Sequence, residues 1–289
     1  MTHSLNYNSA AALRAFLDSE GLGMRKKFGQ NFLINPKIRH DLVEALGAAD
    51  EVWEIGPGLG AMTALLLEKG LAVKAFEIDA GFIRILKRLF ADEKKFSLVE
   101  GDFFKTWGAQ NPAAFLLGNL PYNAAAALLA DMIEKDCLFT RMVVTVQKEV
   151  ALRMIASAGS RDYSSFSVLC TSAYKVKPLM LIRPSSFYPQ PNVDSMGVLF
   201  EKPDEPARKI PAVFYPLVRS LFSSRRKIIK NNLTGFIASH HGNFLPEISA
   251  RDICASLLRE SGLSGNERAE NLELEVFLSL AKAIDNMRI

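Results

Sequence analysis

The sequence predicts a doubly wound α/β domain followed by a small all-helical domain. Short apolar runs alternate with amphipathic helical patterns through the first 158 residues. A proline-containing charged stretch then interrupts the pattern at Glu201–Pro211, and only helical periodicity follows it. Alternation of strands and helices is typical of a mostly parallel sheet with helices on both faces.

Each predicted strand is a short apolar run, and each predicted helix repeats apolar residues at three- and four-residue spacing. A short helix at Ala10–Ser19 precedes the alternating part. Five strands are predicted at Val52–Ile55, Ala72–Ile78, Phe96–Val99, Ala114–Gly118 and Met142–Val146. Helices are predicted between and after them at Ala61–Lys69, Gly81–Phe90, Ala124–Lys135 and Lys148–Ala158. Two later strands, near Ser167–Ala173 and Ser195–Phe200, have no obvious helix between them, which predicts an antiparallel end to the sheet.

The stretch Glu201–Pro211 contains three prolines and charges of both signs, a composition typical of linkers. We therefore expect a first domain over residues 1–205, with an N-terminal extension at 1–24, and a second domain over 206–289. Helices are predicted in the second domain at Ala212–Ile237, Ser249–Ser261 and Ala269–Asn286.

Composition excludes several classes of protein. A chain of 289 residues that is 49% hydrophobic and 23% charged can bury a core, so it is neither disordered nor a disulfide framework. The three cysteines are widely spaced without a CxxC pair, which favours free thiols over disulfides or zinc. The sequence has no signal-peptide pattern and no apolar run of membrane-spanning length, so a cytoplasmic protein is expected.

The net charge of +4 is unevenly distributed. Residues 1–205 carry 23 basic and 23 acidic side chains, whereas residues 206–246 carry seven basic side chains and no acidic one. A basic segment without acidic neighbours is what phosphate backbones attract, although a solvated helix face has the same composition.

A glycine-rich loop, Gly56–Pro57–Gly58–Leu59–Gly60, lies between the first strand and a helix. Glycines there allow a tight turn and close approach to a ligand at the helix N-terminus. Glu77 ends the second strand, where it could accept from ribose hydroxyls, and Asp102 follows the third, where it could accept from an adenine amino group. The loop predicts a nucleoside-containing ligand but leaves open a dinucleotide or S-adenosylmethionine (SAM).

The stretch Asn119–Leu120–Pro121–Tyr122 follows the fourth strand and is suited to methylation of a planar amino group. The exocyclic nitrogen of adenine is a poor nucleophile because its lone pair is delocalised into the ring. Two acceptors, the Asn119 side-chain oxygen and the Leu120 carbonyl, would bind its hydrogens and favour pyramidalisation. Pro121 would fix the backbone, and Tyr122 would offer a face for stacking. An ordinary exposed turn is the alternative interpretation.

With these motifs the chain resembles the KsgA (RsmA) family of ribosomal RNA adenine dimethyltransferases, from about Lys26 to Leu233. Five further motifs support the resemblance: Lys27–Leu33 (KFGQNFL), Val146–Ala151 (VQKEVA), Pro184–Ser195 (PSSFYPQPNVDS), Arg225–Lys227 (RRK) and Asn231–Leu233 (NNL). The family commonly has hydroxyl residues and a proline where this chain has Ala124–Ala127, which should change the capping of the next helix.

The resemblance implies a Rossmann-like class I SAM-dependent methyltransferase with a small C-terminal helical domain. It implies that each of two adjacent adenines in the 3′-terminal hairpin loop of 16S rRNA receives two methyl groups at N6. We also expect a reaction without a metal and a monomeric protein. It also implies that Phe187 packs on the adenine face opposite Tyr122. The implied SAM-binding residues are Asn31, Leu33, Gly56, Gly58, Glu77, Asp102 and Asn119.

Two groups of basic residues are candidates for binding RNA. One precedes the KFGQNFL motif, and the other is expected on a helix of the second domain whose apolar residues Leu217, Leu221, Ile228 and Ile229 would be buried. The candidates are Arg25, Lys26, Lys27, Arg219, Arg225, Arg226, Lys227 and Lys230.

Three alternatives remain from the sequence. One is a resistance-type methyltransferase acting on 23S rRNA, which shares the loop and the Asn-x-Pro-aromatic motif. The second is a ribosome-binding paralogue that has lost catalysis. The third, a nicotinamide-dependent dehydrogenase, is disfavoured by the GxGxG spacing of the loop.

Overall fold

The computed structural model describes residues 5–22, 31–111, 113–121, 124–203, 209–240 and 247–287. The chain forms two compact units, residues 1–151 with 175–202 and residues 152–174 with 203–289. The sequence divides the chain once, near residue 205, and assigns residues 152–174 to the first domain. Their contacts instead group them with the second unit.

The first unit contains a seven-stranded sheet and a two-stranded ribbon. In the sheet, β4, β3, β2, β5 and β6 are parallel, and β9 lies antiparallel between β6 and β7. In the ribbon, β1 pairs with β8. The strands are β1 (Phe32–Leu33), β2 (Glu51–Ile55), β3 (Ala72–Glu77), β4 (Phe96–Glu100), β5 (Phe115–Asn119), β6 (Arg141–Gln147), β7 (Lys175–Ile182), β8 (Phe187–Tyr188) and β9 (Ser195–Glu201).

The helices of the first unit follow the predicted alternation, and several of them have a side-chain cap at the N-terminus. Asn35 caps the helix that begins with Pro36, and Asp79 accepts from Gly81 and Phe82 at the start of another. The helices are α1 (Ala10–Ser19), α2 (Pro36–Glu44), α3 (Ala61–Glu68), α4 (Ala80–Leu89), α5 (Phe103–Thr106), α6 (Ala125–Glu134) and α7 (Lys148–Ile155), of which α7 extends into the second unit. As Ala124–Ala127 implies, α6 has no side-chain cap at its N-terminus.

The register of the parallel strands brings their carboxyl ends together. Ile55 lies opposite Phe76 of β3 and opposite Gly118 of β5. The next residues along these strands, Gly56, Glu77 and Asn119, therefore meet at one edge of the sheet. The strand order reverses between β2 and β5, which is where α/β sheets bind ligands.

The second unit is helical and has its own apolar core. Leu217, Leu221 and Ile229 are buried as predicted, and Ile228 is half-buried. The helices are α8 (Ser165–Ala173), α9 (Phe214–Phe222), α10 (Ile229–Ser239), α11 (Ala250–Glu260) and α12 (Leu274–Met287). Among the described helices of both units, none has the length and apolar character needed to cross a membrane.

Three sequence predictions of secondary structure are wrong. The helix expected over Ala269–Asn286 begins only at Leu274, after a 3-10 turn at Ala269–Asn271. Ser167–Ala173 was expected to be a strand but belongs to α8, where Ser164 and Ser167 form a reciprocal capping box that favours a helix start. The strand next to β9 is instead β7. The continuous helix expected over Ala212–Ile237 is broken between α9 and α10, because the Asn232 amide donates to the carbonyls of Leu221 and Ser224 and so ends α9.

Candidate active site

A cavity of ≈ 320 Å³ lies at the carboxyl edge of the parallel strands, within the first unit. Its volume is in the range of small-molecule binding sites. Every predicted cofactor residue lines it: Asn31, Leu33, Gly56, Gly58, Glu77, Asp102 and Asn119. Leu120 and Pro121 line it as well. The structure therefore brings together residues that are distant in the chain.

The glycine loop has the backbone conformation that glycine permits. Gly56, Gly58 and Gly60 have φ of +67°, +59° and +85°, all in the left-handed region. A Cβ built on Gly56 would meet nothing closer than the Asn119 carbonyl at 3.9 Å, so the loop leaves open space there. The loop is thus shaped to let a ligand approach its backbone.

Glu77 is held by backbone donors and connects β3 to the glycine loop. Its Oε1 accepts from the N–H groups of Ile78 at 2.9 Å and Asp79 at 2.8 Å, and its Oε2 accepts from Gly58 at 3.2 Å. Burial nevertheless raises the pKa of this carboxyl to about 7, because desolvation outweighs the three hydrogen bonds. Ribose hydroxyl donors would favour the ionised form.

Asp102 follows β4 and begins α5. Its Oδ1 accepts from the Phe104 N–H at 3.0 Å, so this oxygen caps the helix. The carboxylate is half-buried and lines the cavity, which leaves its second oxygen as an acceptor for a ligand amino group.

Asn119 ends β5 and is oriented by a hydrogen bond. Its side-chain Nδ2 donates to the backbone carbonyl of Asn31 at 2.8 Å. Because a carbonyl can only accept, the amide must present its nitrogen to Asn31, and its oxygen faces away. That oxygen is the acceptor that the sequence assigns to the substrate amino group.

The backbone carbonyls of Leu120 and Pro121, which follow Asn119, have different roles. The Pro121 carbonyl accepts from the N–H groups of Ala124 and Ala125 at the start of α6. The Leu120 N–H donates to the Thr145 carbonyl at 3.0 Å, which holds this segment against β6. The Leu120 carbonyl is therefore the one suited to act beside the Asn119 oxygen.

Glu54 lies under the loop and is fully buried in β2. Its Oε2 accepts from the Thr63 hydroxyl at 2.6 Å, while Oε1 has no hydrogen-bond partner in the part of the chain that the structure describes. Burial raises the pKa of Glu54 to about 7, and Glu77 adds to the shift. Glu54 is thus a buried acid that retains its proton at pH values where an exposed glutamate is ionised.

The role that the resemblance implies for Phe187, packing on the adenine face opposite Tyr122, stays a prediction. Its ring is 1% exposed and packs in the apolar core, with Leu33 opposite it in the β1–β8 pair. A base could stack on this ring only if the packing around it changed. Tyr122 and the basic residues Arg25, Lys26 and Lys27 lie outside the described residues.

Sequence reasoning missed many of the cavity residues, four of which bear on ligand binding. Ile78 and Phe104 are among the large apolar side chains that remain exposed, at 48% and 38%, and both line the cavity. Ile78 directly follows the predicted carboxylate Glu77, and Phe104 lies two residues after the predicted carboxylate Asp102, so their positions were a usable signal. Tyr7 and Arg39 also line the cavity, and no motif indicates them.

The residues present fit a nucleoside cofactor. The open glycine loop, two carboxylates and two exposed apolar side chains are the groups that ribose and adenine need. No cluster of three or more His, Cys, Asp or Glu able to hold a metal occurs among the residues described. With a Rossmann-like sheet beneath it and the amino-group acceptors at Asn119 and Leu120 beside it, this site is typical of a SAM-dependent methyltransferase.

Comparison with known proteins identifies the family. The family model for ribosomal RNA adenine dimethylase matches residues 21–250. The chain is 46% identical to the ribosomal RNA small subunit methyltransferase A of Treponema denticola, over 98% of this chain and 97% of the relative. It is 38% identical to the protein of the same name from Borreliella burgdorferi, over 99% and 97% of the two chains. The chain therefore belongs to the ribosomal RNA adenine dimethylase family.

Solved structures agree with this assignment. A dimethyladenosine transferase from Plasmodium falciparum superposes with a TM-score of 0.77 at 25% identity, over 88% of this chain and 98% of that chain. The 23S rRNA methyltransferase ErmE superposes with a TM-score of 0.62 at 20% identity, over 88% and 99% of the two chains, which shows a shared fold. The chain is thus a SAM-dependent enzyme that methylates adenine in ribosomal RNA.

Proposed function

We propose that this enzyme transfers two methyl groups from SAM to N6 of each of two adjacent adenines in the 3′-terminal hairpin loop of 16S rRNA, during maturation of the small ribosomal subunit. The extensive identity to small-subunit methyltransferases supports this choice of subunit. The observation that carries the chemistry is the 2.8 Å hydrogen bond from Asn119 to Asn31, because it orients the Asn119 oxygen as an acceptor.

The residues of this chain act by binding and orienting the amino group. When bound, SAM supplies a methyl group activated by its sulfonium. The Asn119 oxygen and the Leu120 carbonyl accept from the two N6 hydrogens, which localises the nitrogen lone pair for attack. After the first transfer one hydrogen remains for these acceptors, so the same pair can orient the monomethylated base. The methylated nitrogen loses its proton to water, so no side chain is needed as a base.

We further propose that the basic turn between α9 and α10 binds RNA phosphates. Arg226, Lys227 and Lys230 are exposed, which suits electrostatic binding. Arg225 already binds other residues of the second unit. It pairs with Glu270 at 2.9 Å and donates to the Arg161 carbonyl at 3.1 Å. Arg219 is exposed on α9 and belongs to the same candidate surface.

The deciding experiment incubates the purified protein with labelled SAM and small subunits that lack the modification. We expect label in N6-dimethyladenine, mapped to the two adjacent adenines of the 3′-terminal hairpin loop. Large subunits serve as the matched substrate, since label in 23S rRNA would assign the resistance-type activity instead. Absence of label from both subunits, with SAM bound, would favour the ribosome-binding paralogue.

Because an enzyme that modifies assembling subunits must be present where they form, we propose that it acts in the cytoplasm. We also propose that it acts as a monomer. Light scattering of the free protein should give one species near 32.0 kDa. A stable dimer would overturn the proposed monomer without affecting the reaction.

A further inference from the structure

The N-terminal segment Leu5–Leu22 contributes a wall to the cofactor cavity. Tyr7 and Leu13 from this segment line the cavity. The apolar face of α1 packs against the main fold, where Leu13 and Leu17 are buried with Leu59 of the glycine loop. The segment is therefore part of the site, although it carries none of the motifs.

Arg39 holds the N-terminal segment by hydrogen bonds from the opposite side of the cavity. The side chain projects from α2, is 4% exposed and lines the cavity. One guanidinium nitrogen donates to the Leu33 carbonyl at 2.6 Å and to the Tyr7 carbonyl at 3.3 Å, and the other donates to the Asn8 side-chain oxygen. Arg39 thus joins a predicted cofactor residue, Leu33, to the N-terminal segment.

Burial of the charged Arg39 guanidinium costs free energy. No carboxylate forms an ion pair with Arg39 within the described ranges, and its Nε is buried there without a hydrogen-bond partner. Burial lowers the pKa of Arg39, as expected for a desolvated cation. Because a buried unpaired charge destabilises a fold, its position at the cavity calls for a role beyond packing.

Tyr7 completes the connection to the glycine loop. Its hydroxyl donates to the Leu59 carbonyl at 3.0 Å, while its own backbone carbonyl accepts from Arg39. A single residue of the N-terminal segment therefore links the Arg39 side to the loop side of the cavity.

We propose that Arg39 and Tyr7 are positioning residues that hold the Leu5–Leu22 segment across the SAM site and so slow release of the cofactor. The proposal rests on the cavity being the SAM site. Because neither residue is assigned to the amino group, their loss should weaken cofactor binding and leave the methyl-transfer step nearly unchanged.

The test measures binding of SAM by calorimetry, its dissociation rate by stopped flow, and single-turnover methylation at saturating SAM. We expect Arg39→Met to raise the SAM Kd about tenfold, mainly through faster dissociation, with the single-turnover rate within about twofold of wild type. Tyr7→Phe removes one hydroxyl and should raise Kd by about three- to fivefold. Arg39→Lys, which retains the charge, should restore part of the affinity.

Arg14→Ala is the matched control. Arg14 lies on the same segment but is exposed, pairs with Asp18 of its own helix at 3.9 Å and does not line the cavity. It should leave SAM affinity unchanged. Amide hydrogen exchange supplies a second readout, in which SAM should protect Leu5–Leu22 in wild type and protect it less in Arg39→Met.

Unchanged Kd and exchange in both Arg39→Met and Tyr7→Phe would overturn the proposal, as would a loss of thermal stability alone. A fall in the single-turnover rate by the same factor as the rise in Kd would also overturn it. The two residues would then affect the methyl-transfer step as much as cofactor binding. If wild type itself failed to bind SAM in this cavity, the proposed function would fail first.

Discussion

The side-chain nitrogen of Asn119 donates to the backbone carbonyl of Asn31, a residue 88 positions earlier in the chain. This bond joins the end of the KFGQNFL motif to the start of the Asn-Leu-Pro-Tyr motif at one cavity. It also determines which way the Asn119 amide faces. Substitutions of Asn119 therefore test the orientation of its side-chain oxygen separately from the packing of the site.

Replacing Asn119 should lower the rate of methyl transfer. Asn119→Ala removes the acceptor, and Asn119→Asp places a carboxylate against the Asn31 carbonyl, so both should reduce the single-turnover rate by about 100-fold, or ~2.7 kcal/mol. Asn35→Ala is a matched control, because Asn35 caps α2 and does not line the cavity. It should cost about 1 kcal/mol of stability with normal transfer. An unchanged rate in Asn119→Ala would refute the orienting role.

Asp102 should determine recognition of the cofactor amino group. Asp102→Asn keeps an oxygen to cap Phe104 but replaces the second oxygen with a donor, so we expect about tenfold weaker binding of S-adenosylhomocysteine without loss of stability. Binding of S-inosylhomocysteine should not be weakened by this change, because its carbonyl oxygen replaces the amino group and can accept from the new amide. Equal weakening for both ligands would contradict the assignment.

The two glycines that flank α3 provide a packing test. Gly60 and Gly70 have similar φ, +85° and +80°, so alanine should be strained at both by about 1–2 kcal/mol. A Cβ on Gly60 would also lie 2.6 Å from the Phe90 ring, whereas one on Gly70 would meet nothing within 4 Å. Urea unfolding should therefore show Gly60→Ala to be less stable than Gly70→Ala by about 1–3 kcal/mol. Equal losses would argue that the Phe90 ring moves freely.

Glu54 should make stability depend on pH. Its pKa is raised by burial from 4.5 to about 7, so the folded state retains a proton that the unfolded state loses between these values. The stability from this group is complete below pH 4.5 and is lost as pH rises through about 7. Glu54→Gln should remove the part of this dependence that Glu54 contributes, while the part from Glu77 remains, and should gain stability relative to wild type at pH 8 by on the order of 2–3 kcal/mol. Urea unfolding from pH 5 to pH 8 measures the effect, and parallel curves for the two proteins would contradict it.

The basic turn should contribute to RNA affinity. Arg226→Glu with Lys227→Glu should weaken small-subunit binding by at least tenfold, lower the salt dependence of that binding and leave SAM affinity unchanged. Arg251→Glu with Lys282→Glu makes the same change of charge at exposed positions on α11 and α12 and serves as the control. If both pairs of substitutions weakened binding equally, the effect would be due to net charge. The basic turn would then be an ordinary solvated surface and not an RNA-binding site.

Sequence reasoning predicted the five parallel strands and the polar residues at their carboxyl ends. Gly56, Glu77 and Asn119 each lie at or just after the end of a parallel strand, and parallel strands end at a common edge, so a local pattern was enough to bring them together. Ser167–Ala173 was wrong because apolar and β-branched residues suit either a strand or a buried helix, and the capping box at Ser164 decided between them.

What the sequence determined by itself was the α/β alternation, the glycine loop and the type of amino-group chemistry, since these depend on residues close together in the chain. Only the tertiary structure decided that Phe187 is buried, that Arg225 is paired with Glu270, and that Arg39 holds Tyr7 over the cavity. Burial and pairing depend on segments far apart in the chain, which meet only when the whole domain packs, so no local pattern could indicate them.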